Sequence, residues 1–97
     1  MAKTIRTKWT DADNYEISKA VLKEYAIKRS SKPVREFVDN LTLPTPHSKG
    51  SLRVKVQNTK YLLEDRKIPN TLTISARPNC SKAHGAQFDK ARMDLGI

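Results

Sequence analysis

Between residues 48 and 65 the apolar side chains fit two competing patterns. Leu52, Val54 and Val56 alternate with polar residues, as they would in a half-buried strand. Wound as a helix, the same stretch turns its less polar side chains to one face about 60° wide. These core-facing residues are Leu52, Val56, Thr59 and Leu63. A strand accounts only for residues 51–57, whereas a helix accounts for residues 48–65 and also sorts the charges, so the pattern predicts a helix.

The chain before this segment predicts two further helices. Thr10 with Asp13 three residues later is a capping pattern, and the apolar residues after it indicate a helix over residues 11–28. Pro33 suits the first turn of a second helix, because its missing N–H would be unpaired there anyway. The apolar residues of this second helix repeat at i, i+3, i+4 and i+7: Val34, Phe37, Val38 and Leu41. The prolines in residues 43–47 then predict a connecting loop.

The chain after residue 65 predicts one more helix and an extended piece. Residues 71–76 alternate Thr-Leu-Thr-Ile-Ser-Ala, which favours a short strand or an extended arm with its apolar residues inward. Asn79 and Ser81 can each cap a last helix, which Gly96 stops. We therefore expect a mainly α fold: a small domain of three to four helices with a helix-turn-helix-like core.

Length and charge limit the organisation and the partners. Ninety-seven residues suffice for one domain over 1–97, in which residues 1–8 form a basic arm. Nineteen Lys and Arg against ten Asp and Glu leave a net charge of +9, which predicts an acidic partner, and double-stranded DNA before others. A membrane partner is not expected, because no stretch approaches about 18 apolar residues.

The charged face of the helix over residues 48–65 carries the candidate binding residues. Arg53 and Gln57 lie in its middle, and in a major groove Arg suits guanine while Gln suits adenine. The other candidates are expected to contact mainly phosphate, with Lys60 also able to contact guanine: Lys49, Ser51, Lys60 and Lys67, together with Lys3, Arg6 and Lys8 of the arm. Asn58 lies about 100° away from this face, so we expect it to make hydrogen bonds inside the fold. We expect Trp9 to anchor the core.

Residues 50–63 resemble a known signature. The residues that carry it are Gly50-Ser51-Leu52, Lys55, Gln57-Asn58 and Leu63, against the pattern Gly-Ser-[Ile/Val]-x-x-Lys-x-Gln-Asn-x-x-x-x-Leu. That pattern is typical of a small helical module at the N-terminus of bacterial HNH-type and other restriction-like endonucleases, and Trp9-Thr10-Asp11 also resembles Myb-like domains. The resemblance implies a DNA-recognition or DNA-targeting domain with the signature on a helix-turn-helix-like core. No nuclease domain follows it, so the family's catalysis is not carried over.

The remaining chemistry does not predict an enzyme, a cofactor or a metal site. Cys80 is the only cysteine, which excludes a disulfide framework and fits a reducing, cytoplasmic location. His47 and His84 lie far apart, with no metal-ligand spacing around them. The alternative to DNA binding is a phage- or plasmid-type accessory protein that binds a host protein or nucleoprotein complex, such as an anti-CRISPR or anti-restriction inhibitor.

Overall fold

The computed structural model describes residues 8–97, and this range contains four α-helices and no β-strand. In chain order the helices are α1 (Asp11–Val21), α2 (Val34–Asp39), α3 (Lys49–Asp65) and α4 (Lys82–Leu95), and a π-helical segment (Leu22–Ile27) continues α1. The expected mainly α domain is confirmed. Lys3 and Arg6 of the basic arm lie outside the described residues, and Lys8, where the description begins, is exposed.

α1 begins at the capping box that the sequence predicts. The Thr10 hydroxyl accepts the Asp13 N–H at 3.1 Å, and Asp13 Oδ2 accepts the Thr10 N–H at 3.1 Å. The helix continues to Ile27, but its last six residues are π-helical, which the periodicity did not predict. Tyr25 is buried in this wider turn, and its hydroxyl donates to the Lys32 carbonyl at 2.8 Å.

α2 ends at Asp39, although the periodicity predicted that it would continue through Leu41. The Asn40 side-chain amide donates to the Glu36 carbonyl at 2.9 Å, and such bonds to the backbone compete with further winding. α2 packs against α3, and residues 40–48 connect them. This connection is longer than the turn of about three or four residues that joins the helices of a helix-turn-helix motif.

α3 confirms the helix prediction over residues 48–65, and the interpretation of residues 51–57 as a strand is wrong. The helix follows the N-cap Ser48, whose hydroxyl accepts the Ser51 N–H at 3.2 Å. All four residues predicted to face the core are buried: Leu52, Val56, Thr59 and Leu63. A strand here would need a pairing partner, and residues 8–97 contain none, whereas the helix satisfies its own backbone.

Residues 70–79, which we name the crossing segment, run from α3 towards α4 without regular secondary structure. The expectation of a short strand at residues 71–76 is therefore wrong, and the alternative of an extended arm is correct. Leu72 is buried and Ile74 packs against the core, so the alternation reflects packing of one side of the segment. At its start, the Thr71 N–H donates to the Tyr25 carbonyl at 2.9 Å.

α4 begins and ends as predicted. The Ser81 hydroxyl accepts the His84 N–H at 3.1 Å, and Gly96 ends the helix in the left-handed conformation with φ 71°. Phe88 and Ala91 are buried where α4 packs along α1. α1 and α4 each also contact α3, so the three helices share one core.

Two glycines should respond to alanine in opposite directions. Gly50 lies in the first turn of α3 with nothing within 4 Å of an added Cβ, so Gly50→Ala should raise the free energy of unfolding by roughly 0.5–1 kcal/mol. Gly96→Ala should lower it by about 1 kcal/mol, because a side chain is strained at φ 71°. Urea unfolding of both variants checks this, and a loss of stability in Gly50→Ala would contradict the open surroundings of Gly50.

Candidate nucleic-acid interface

Trp9 fastens the start of the chain to the first turns of α3. Its Nε1–H donates to Ser51 Oγ at 3.1 Å, and its ring stacks on His47 with 3.9 Å between centroids. Lys55 Nζ lies 5.0 Å from the Trp9 ring centroid. Trp9 is thus a packing anchor beside the start of α3, as expected.

A buried carboxylate fixes the connection between α2 and α3. Asp13 Oδ2 lies 3.1 Å from His47 Nε2, and Asp13 Oδ1 accepts the Thr45 N–H at 3.0 Å. Burial alone would raise the pKa of Asp13, but its hydrogen bonds, first the one with His47, lower the pKa to about 2. The ionised carboxylate therefore holds this connection against α1.

Two basic side chains of residues 49–67 form ion pairs with acidic residues of other helices. Lys49 Nζ lies 2.8 Å from Asp39 Oδ1, although the lysine side chain stays 75% exposed. Arg66 pairs with Asp89 at 3.0 Å. The six basic and two acidic residues of this stretch therefore overstate the positive charge that it presents to a partner.

Arg53 forms no such pair within the described residues. It is exposed on α3, and within residues 8–97 its guanidinium has no hydrogen-bond or ion-pair partner. Gln57, one turn later, is half-buried. We name the outer face of α3 by its four residues: Gly50, Arg53, Val54 and Gln57. The Arg53 side chain also borders a depression between α2 and α3, which Arg35 lines from the other side.

Lys60 is placed differently from the expectation, whereas Lys67 lies past the end of α3, as expected. The Lys60 side chain is only 15% exposed, and its ammonium donates to Asn70 Oδ1 at 3.0 Å and lies 3.7 Å from Glu64. It therefore tethers the crossing segment and does not project from the outer face of α3. Lys67 is exposed but lies two residues beyond the end of α3, and the last residue of that helix, Asp65, is about 18 Å along the axis from Arg53 at 1.5 Å per residue.

Asn58 has the structural role that its position predicts. It is 4% exposed, and its Nδ2 donates to the carbonyls of Arg77 at 2.9 Å and Asn79 at 3.3 Å. The Arg77 N–H in turn donates to the Gln57 carbonyl at 3.1 Å. Sequence reasoning missed Arg77, and nothing local to residues 77–79 indicates that they lie against the middle of α3.

The Cys80 and His84 side chains lie on the core side of this region. Burial raises the pKa of the Cys80 thiol and lowers the pKa of His84 to about 3, so both are uncharged at neutral pH. Burial also lowers the pKa of Lys55. Within the described residues, no three His, Cys, Asp or Glu side chains are grouped so that they could hold a metal ion.

Comparison with protein-family models, with curated proteins and with solved structures finds no match for this chain. The resemblance to the endonuclease-associated module therefore rests on residues 50–63 alone. None of the helices in residues 8–97 has the length and apolar character needed to cross a membrane.

Proposed function

We propose that this chain is a binding domain for duplex DNA and that it contacts the major groove with the outer face of α3. The observation that carries the proposal is the guanidinium of Arg53, which is exposed and has no partner within residues 8–97, beside Gln57 on a 17-residue helix. A net charge of +9 supplies the general attraction to phosphate. Resemblance to the endonuclease-associated module supports binding, with no catalytic step assigned to the chain.

The spacing of the two central residues suits base contacts. Arg53 and Gln57 are one turn apart, which is about 6 Å along the helix axis. The rise of B-DNA is about 3.4 Å per base pair, so this spacing is close to two base-pair steps. A guanidinium can bind guanine through two hydrogen bonds and a carboxamide can bind adenine in the same way. These two residues would therefore determine which sequences are preferred.

Phosphate contacts come from the start of α3, from its far end and from the arm. The exposed ion pair of Lys49 with Asp39 contributes little to stability, so Lys49 can turn to a phosphate at low cost. Ser51 accepts a hydrogen bond from Trp9 and keeps its own hydroxyl proton for donation. Further positive charge for phosphate contacts comes from Lys67 and from the arm residues Lys3, Arg6 and Lys8. Lys60 is left out, because its ammonium is bound within the domain.

Base contacts and phosphate contacts predict different losses of binding. Arg53→Ala and Gln57→Ala should each lose about 1–3 kcal/mol on a duplex obtained by selection, but little on a scrambled duplex. Lys3→Ala should weaken binding to both duplexes alike and reduce the slope of log K against log[salt] by about one. Fluorescence anisotropy with the two duplexes across a salt series measures these quantities.

Equal losses on both duplexes for all three variants would leave a nonspecific basic surface and overturn sequence readout. If the unmodified protein failed to bind duplex DNA near physiological salt, DNA binding itself would be overturned. The accessory-protein alternative would then be tested by looking for a host protein or nucleoprotein complex that co-purifies with the chain.

A further inference from the structure

We infer that the crossing segment is a second nucleic-acid contact, which binds a backbone phosphate through Arg77 while α3 occupies the groove. This inference rests on the proposed function of α3. It assigns Arg77 as a phosphate-binding residue and Asn58 as the positioning residue that holds it.

The hydrogen bonds around Arg77 fix its backbone to α3. Its N–H donates to the Gln57 carbonyl at 3.1 Å, and its carbonyl accepts from Asn58 Nδ2 at 2.9 Å. The same amide group of Asn58 also donates to the Asn79 carbonyl at 3.3 Å. Because Asn58 is 4% exposed, these bonds are shielded from competing water. They hold Arg77 and Asn79 in register with α3.

The exposed polar side chains of the crossing segment can all donate a hydrogen bond to an oxygen anion. Thr73, Ser75 and Arg77 are exposed, while Leu72 and Ile74 face the core. Residues 70–79 contain no Asp or Glu, and within residues 8–97 the Arg77 guanidinium has no ion-pair or hydrogen-bond partner. Hydroxyl and guanidinium groups are among the side-chain groups that contact phosphate in protein–DNA complexes.

The position of Arg77 favours phosphate over a base edge. Its carbonyl is hydrogen-bonded to Asn58, and Asn58 lies about 100° around α3 from Gln57 at the centre of the outer face. A helix that faces the bases of a major groove about 12 Å wide has a phosphate backbone along each flank. Arg77 stands on such a flank, so it meets the backbone and carries no sequence information.

Three variants test the Arg77 contact by fluorescence anisotropy on the selected and scrambled duplexes. Arg77→Gln should weaken binding to both by roughly three- to tenfold at physiological salt and reduce the slope of log K against log[salt] by about one. Arg77→Lys should keep most of the affinity, since a lysine also serves a single phosphate. Lys23→Gln, which removes an exposed charge from the π-helical segment, is the matched control and should change affinity little.

Asn58→Ala tests the positioning role. It should lose as much affinity as Arg77→Gln, and the double variant Asn58→Ala with Arg77→Gln should lose no more than either alone, because both remove one contact. Circular dichroism of Asn58→Ala establishes whether the helices remain. If Asn58→Ala unfolds, Arg77→Gln alone decides the phosphate contact.

The outcomes separate the two proposals. Suppose that Arg77→Gln keeps its affinity, as Lys23→Gln does, while Arg53→Ala still loses affinity for the selected duplex. The phosphate contact of Arg77 is then overturned, and the proposed function of α3 stands. A loss in Arg77→Gln that is confined to the selected duplex would also overturn it, because it would make Arg77 a base contact. If the unmodified protein binds no duplex, both proposals fail.

Discussion

The Val56→Asp variant is expected to lose its cooperative fold. Val56 is 0% exposed on the core side of α3, so the new carboxylate would be buried among apolar side chains. Burying a charge without a partner costs several kcal/mol or more, and a domain of this size has a total stability of about 5–15 kcal/mol. Helical circular dichroism should fall sharply, and the thermal transition should broaden or disappear.

Val54→Asp is the matched control for this experiment. It makes the same substitution two positions earlier in α3, where the native side chain is 36% exposed. We expect its stability to change by no more than about 0.5 kcal/mol, the usual range for surface positions. If Val54→Asp unfolded and Val56→Asp did not, the helical register of α3 would be wrong, and the outer face with it.

Acidification should destabilise the domain through His84. Its pKa is lowered by burial to about 3, whereas an ordinary histidine titrates near 6.5. The unfolded chain therefore takes up the proton first, so stability is complete above about pH 6.5 and declines as the pH falls towards 3. By linkage, the free energy of unfolding should drop by about 2 kcal/mol between pH 7 and pH 5.

The hydrogen bonds of His84 explain why the added proton is not tolerated. The Thr59 hydroxyl donates to the Lys55 carbonyl at 2.7 Å, so its oxygen is left to accept from His84 Nε2–H at 3.1 Å. The second proton would have to go on Nδ1, which is buried without a hydrogen-bond partner in the described chain. The positive charge of Lys55 adds to this cost.

Urea unfolding at pH values from 7 to 4.5 measures this effect, with His84→Gln as the comparison. Glutamine can still donate to Thr59 but does not titrate, so the variant should lose most of the pH dependence. His47 remains in both proteins, and Asp13, with a pKa of about 2, remains ionised over this range. The same pH slope in both proteins would show that His84 is not the acid-sensitive group.

The sequence by itself was enough to predict most of the helices and their ends. α3 and its core-facing residues follow from apolar spacing, and Thr10, Ser81 and Gly96 mark helix ends through bonds to residues at most a few positions away. These are local effects of backbone geometry, so a local pattern contains them. The proposed readout by Arg53 and Gln57 also comes from helical spacing alone.

Long-range packing determined the rest. Whether residues 71–76 pair as a strand depends on a neighbouring strand, and residues 8–97 contain none, so one side of this segment packs against the core instead. Lys60 is removed from the outer face of α3 by Asn70, and Arg77 is brought beside Gln57 by Asn58. These contacts depend on how the chain folds back on itself, which the spacing of residues along one helix does not record. The charge of the chain could therefore be counted in advance, but which cations face solvent could not.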